Sequence, residues 1–149
     1  MQTEFSGTIN LDAAPGDVKK LISDTELVAS CIPDSKDFKK LDDSHFSITV
    51  NVGISMVRGP FKLSGTMESL ADYVQYSISG KGLGSEVSIT IKLGVAGTGP
   101  SASKVTWSAT AEFKGIISGV SEPIIRKITN EKVEEIASNL KAKLGNKGA

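Results

Sequence analysis

A repeated two-residue alternation of apolar and polar side chains restricts what this chain can fold into more than any other feature. Phe5, Gly7, Ile9 and Leu11 occupy one parity of a first run. Phe46, Ile48, Val50 and Val52 form the next, then Val57, Phe61, Leu63 and Met67, followed by Val74, Tyr76 and Ile78. Val87, Ile89, Ile91, Leu93 and Val95 make a long run, and Val105, Trp107, Ala109, Ala111 and Phe113 close the series. The residues between them in the later runs are mostly Ser, Thr, Lys and Glu, the pattern of strands with one wet face. Asp72, Gly80 to Gly84 and Gly97 to Ser103 read as turns. Short connections between successive strands predict an antiparallel meander. Ser35 to Asp42 is a further candidate strand.

The alternation fails in two places. From Ala14 to Ile22, Pro15 suits a first helical turn, and Val18, Leu21 and Ile22 make a short apolar stripe. A second short helix is expected through Glu26 to Ser30. Near the C-terminus Val120, Ile124, Ile125, Ile128, Val133, Ile136, Ala137, Leu140 and Leu144 recur at three- and four-residue steps, with Gly145 as the stop. An antiparallel sheet with one apolar face must cover it, and this long helix is the one element large enough. The expected class is therefore α+β: a curved antiparallel sheet wrapped around a long C-terminal helix, with two short helices after the first strand. Ile124, Ile128, Val133 and Ile136 should face the sheet. No repeat or linker divides the chain, so residues 1–149 are read as a single domain.

Composition narrows the function. Seventeen basic residues balance seventeen acidic ones, and of the basic ones only Arg58 and Arg126 are arginine. Neither a field nor a guanidinium cluster is present to recruit nucleic acid. Cys31 is alone, which excludes an internal disulfide and a multi-cysteine metal site. The opening MQTEFSGTIN lacks the basic and apolar segments of a secretory signal. No apolar run approaches the roughly 20 residues needed to span a bilayer, so a cytoplasmic protein is expected.

The inward parity carries the most specific expectation. Gly65, Ala109 and Ala111 are small where neighbouring strands supply Phe, Leu and Ile. Opposing large side chains can fill such positions, or a cavity remains; the cavity is the expectation here. Its lining would be Phe46, Ile48, Phe61, Leu63, Tyr76, Ile78, Ile89, Ile91, Trp107, Ala109, Ala111, Ile124 and Ile128. These are aliphatic or aromatic almost throughout, the lining of an apolar pocket with few polar groups. The Tyr76 hydroxyl is a candidate to orient a ligand carbonyl.

Three stretches carry a resemblance to the G-subunit family of carbon monoxide dehydrogenase, within the START and Bet v 1-like helix-grip superfamily. Phe5-Ser6-Gly7 with Ala13-Ala14-Pro15 and Val18 resembles the family's first strand and helix. Asp24-Thr25-Glu26 and Cys31-Ile32-Pro33 resemble its Asp-x-Glu and Cys-Ile-Pro-Gly segments, and Trp107-Ser108-Ala109 through Phe113-Lys114-Gly115 its last strand and the glycine before the final helix. Asp34 stands where the family has glycine, so a different loop geometry at the mouth of the cup is expected. Some relatives carry an apolar membrane-attaching tail; here Leu144 is followed by Gly145 to Ala149. A transmembrane anchor is therefore not implied, and peripheral membrane contact at most. The resemblance implies a non-catalytic accessory protein of a molybdenum hydroxylase-type enzyme, acting in recruitment or by carrying a lipophilic quinone. No covalent cofactor or metal is expected.

The remaining reactive residues have plain structural readings. Cys31 has no cationic neighbour in sequence to lower its pKa, and a buried structural role fits better. His45, the sole histidine, has the parity opposite Phe46 and should face solvent, with Asp42 and Asp43 in a turn. Gly80-Lys81-Gly82-Leu83-Gly84 precedes an alternating strand, whereas a phosphate loop must open a helix. A packed-core recruitment factor without a ligand is the alternative function, and a cyclase or hydrolase the less favoured third.

Overall fold

A computed structural model describes residues 1–54 and 57–148 of the chain. Strand β1 (Gln2–Leu11) leads into helices α1 (Pro15–Ile22) and α2 (Thr25–Ser30). Strands β2 (Ser35–Lys40), β3 (His45–Ile54), β4 (Val57–Ser69), β5 (Val74–Gly82), β6 (Ser85–Gly99) and β7 (Ala102–Gly115) follow. A 3-10 turn, Ile116–Gly119, then introduces helix α3 (Glu122–Gly148). The seven strands form one antiparallel sheet in the order β1-β7-β6-β5-β4-β3-β2. The excursion through α1 and α2 separates β1 from β2 and leaves them on opposite edges. This is the helix-grip architecture.

Local chemistry explains the boundaries. Pro15 starts α1 within its first turn, and the Asp24 side chain caps α2 by accepting a hydrogen bond from Leu27 N at 3.1 Å. Two turns are tighter than the glycine-rich stretches suggest. Gly80 and Gly82 lie inside β5, where the Leu63 side chain and the Pro60 carbonyl occupy the space a side chain would need. The β5–β6 turn is then only Leu83–Gly84, with φ of 54° and 71°, the doubly left-handed geometry that suits a tight hairpin. Between β6 and β7 only Pro100 and Ser101 lie outside the strands.

Two expectations about α3 are corrected. Gly145 does not end it, since the backbone continues as helix to Gly148; Ala149 lies outside the described residues. Ile124 is 44% exposed, while Ile125 is wholly buried. Each residue advances about 100° around a helix, and the inward stripe runs from Ile125 through Ile128, Ile136 and Leu140 to Leu144, which turns Ile124 outward. A run of two isoleucines hid which of them belonged to the stripe.

The buried side chains form three clusters rather than one. Phe5, Phe61, Phe113, Ile117 and Ile125 anchor the first, where β7 passes into α3. Leu11, Val18, Leu21, Cys31, Val105, Leu140 and Leu144 make the second, under the C-terminal half of α3. Ile22, Ala29, Phe46, Ile48, Met67, Val74 and Tyr76 make the third, beneath α1 and α2.

Candidate functional site

The three clusters meet only through side chains that solvent still reaches. Leu63 and Ile91 border the first and third clusters, and Leu93 and Val95 the second and third. Ile78, Ile89 and Trp107 are half-buried in the same way, as are Ile128 and Ile136 on the helix. All the strand residues in this group have the concave parity. A domain of this size ordinarily closes one contiguous core; here the inward apolar side chains between the clusters stay partly exposed.

The strand register places the expected lining residues side by side. Ala111 lies opposite Ile89, Ile89 opposite Ile78, and Ile78 opposite Gly65. Ala109, Ile91 and Tyr76 form the adjacent row. Phe46, Ile48, Phe61, Tyr76, Ala109 and Ala111 are buried, while Leu63, Ile78, Ile89, Ile91, Trp107 and Ile128 are half-buried. Ile124 belongs to the outer surface and leaves the set.

Three details alter the expected chemistry. Gly65 provides no free volume, because the Phe46 ring fills the position its side chain would take. Gly7, by contrast, lets the Trp107 indole lie flat against β1; a Cβ there would meet the ring at 3.0 Å. The Tyr76 hydroxyl is already committed, donating to Ile22 O at 2.6 Å from a buried position, and burial raises its pKa far above the ordinary value. It ties β5 to α1 instead of orienting a ligand.

The mouth beside α2 is fastened to α3. Asn139 Nδ2 donates to Cys31 O at 2.9 Å, and Lys132 Nζ pairs with Asp34 at 3.2 Å. Asp34 has a φ of 60°. Its backbone therefore keeps the left-handed conformation that glycine adopts most easily, while its carboxylate gains the lysine. Cys31 is fully buried, and desolvation raises its thiol pKa, with weaker opposing effects from Ser30 and Lys143.

Outside the cup, His45 Nδ1 lies 2.8 Å from Asp42 Oδ1 at an exposed strand end, and this contact leads the lowering of the Asp42 pKa. His45 also lines a shallow groove of about 380 Å³ with Ser64, Thr66, Ser77 and Thr90, which Phe46, Gly65, Ile78 and Ile89 border as well. Among the described residues no group of three or more His, Cys, Asp or Glu side chains is placed to hold a metal ion. No helix among them is long and apolar enough to cross a membrane.

The family model for the G subunit of carbon monoxide dehydrogenase (CoxG) matches residues 7–145. The chain belongs to the CoxG family. No curated protein matches its sequence. A conserved protein from Geobacillus kaustophilus superposes with a TM-score of 0.88 at 13% identity, over 97% of this chain and 96% of its own. A START superfamily protein from Mycobacterium smegmatis gives 0.77 at 16%, covering 96% of this chain and 97% of that one. The Zhui aromatase/cyclase from a Streptomyces species gives 0.74 at 6%, covering 100% and 97%. At these identities the likenesses speak for the fold alone. The glycine before the final helix has a physical reason in this CoxG-family chain: Gly115 has a φ of 83°, and a Cβ there would strike the Gly84 carbonyl.

Sequence reasoning missed Thr3, which is 3% exposed on the concave parity opposite Ala111. Extending the parity of Phe5 back by two residues would have found it.

Proposed function

We propose that this chain is a non-catalytic accessory protein that holds a lipophilic small molecule, a quinone as leading candidate, in the hollow between sheet and helix and serves a molybdenum hydroxylase-type oxidoreductase. The observation carrying this reading is the division of the core into three clusters separated by half-buried apolar side chains of concave parity. Membership in the CoxG family, whose name joins it to carbon monoxide dehydrogenase, supports the choice of partner. The absence of free acid–base groups among the cup residues supports a carrier over an enzyme. Tyr76 is the one titratable side chain in the set, and its proton is bound to a carbonyl with the phenolate disfavoured.

Burying a few hundred Å² of ligand at about 25 cal/mol per Å² gives several kcal/mol of gross driving force. Ordering costs reduce this, so affinity of about micromolar strength is expected. Trp107 is the chain's sole tryptophan and is half-buried beside the hollow, so it reports directly. Titration with short-chain naphthoquinones should quench its emission saturably. The double substitution Ile78→Phe with Ile89→Phe should fill the space and remove the saturable response while thermal unfolding stays cooperative. If the wild type gives no response and native mass spectrometry finds no co-purifying lipid, the packed-core recruitment factor becomes the better account.

A further inference from the structure

Among the described residues, one buried side-chain oxygen has no hydrogen-bond partner: Oγ1 of Thr3. Its counterparts are satisfied. Ser85 Oγ accepts from Ile117 N at 2.9 Å, and Ser103 Oγ donates to Ala13 O at 2.7 Å. Native interiors pair nearly all such groups, because an unmade hydrogen bond away from water is costly, and an exception calls for a cause. Threonine also has a natural apolar substitute of the same shape in valine, so filling space does not require the hydroxyl.

Thr3 stands at one end of a concave row that crosses the sheet. The register carries this row from Thr3 to Ala111, Ile89, Ile78, Gly65 and Phe46. Its far end is closed by the Phe46 ring over Gly65. Its middle is Ile89 and Ile78, both half-buried, and the small Ala111 separates them from the hydroxyl. No charged side chain occurs in the row. We propose that the Thr3 hydroxyl is the polar anchor of the cup's ligand, whose apolar body lies along Ala111, Ile89 and Ile78. This rests on reading the concave face as a ligand site.

The row defines a ligand class. Three strand spacings separate Thr3 from Ile78, about 14 Å at the usual 4.8 Å per strand. The occupant is a flat or elongated molecule with an apolar body and one carbonyl or hydroxyl oxygen at the end that meets β1.

The test uses the full chain and a matched pair of probes, 1-tetralone and tetralin, which differ in one carbonyl. Each displaces the neutral fluorescent reporter N-phenyl-1-naphthylamine. Thr3→Val should weaken tetralone about five- to tenfold, the usual worth of one such hydrogen bond, and leave tetralin within about twofold. Thr3→Ser should retain tetralone affinity. Ligand-free Thr3→Val should melt at or above the wild-type temperature. Equal affinities in wild type and Thr3→Val, equal weakening of both probes, or a lower melting temperature for ligand-free Thr3→Val would each overturn the anchor. If tetralin still displaces the reporter in those cases, the cup reading survives without the anchor. If the reporter itself does not bind, both fall together.

Discussion

The C-terminal end of α3 and the stretch around Ile128 cover the same sheet with different success. Around Leu140 and Leu144 the helix closes on Leu11, Val18, Leu21 and Val105, all buried. Polar groups nearby are partnered: Asn139 with Cys31 O, Ser103 with Ala13 O, and Tyr76 with Ile22 O. Around Ile128 the helix and the facing region of the sheet carry apolar residues of the same kinds, yet they are only half-buried. The difference is the supply of plugs. Helices α1 and α2 bring Val18, Leu21, Ile22 and Ala29 into one end of the curved sheet, and no third element reaches the middle. Hydrophobic patterning thus marks which face is inward, but the extra short elements decide whether that face is dry.

A buried charge should break this comparison most sharply. Leu140→Asp places a carboxylate in the closed end without a partner and should cost about 3–5 kcal/mol. Ile128→Asp sits where water can follow the charge and should cost about half as much or less. Chemical denaturation of the two variants measures both, and equal losses would mean that the middle is as dry as the end.

Hydroxyl deletions sharpen the contrast. Tyr76→Phe abandons the Ile22 carbonyl and should destabilise by about 1–2 kcal/mol. Calorimetry should detect that loss beside the neutral or favourable effect already expected of Thr3→Val. Thiol accessibility gives the smallest effect on stability and the most local readout. Cys31 is buried with its pKa raised, so methyl methanethiosulfonate should modify it only as the protein opens. A cysteine introduced as Ile89→Cys in a Cys31→Ser background should react more than about tenfold faster, because position 89 is only half-buried.

Much of this was legible from parity. The alternating runs place β1 and β3 to β7, and Pro15 marks where α1 begins. Long-range partnerships were not legible, because nothing local links Tyr76 to Ile22 or Lys132 to Asp34. The same limit applies to Gly65, which reads as free volume until the register sets Phe46 directly opposite. The pair Ile124 and Ile125 was ambiguous for a different reason. Both fit a three- or four-residue step, and only where the helix meets the cluster of Phe5 and Phe113 is the choice made. Within the candidate site, the inward set could be named from sequence, but which members stay wet depends on how far α1, α2 and α3 reach across the sheet.

Apolar side chains left partly exposed invite self-association, and the β2 edge of the sheet bears on that hazard. Strand β2 pairs with β3 along one side only, and its register slips between Lys36 and Lys39, where Asp37 takes a φ of 56°. A straight, apolar edge would offer its unpaired amides to the edge of another copy. This edge is bent, short and rich in lysine, all of which oppose strand addition. A neighbouring sheet would have to match the kink and bring Lys36, Lys39 and Lys40 against its own charges. The irregularity thus makes this edge a poor template for growth into a continuous ribbon of copies.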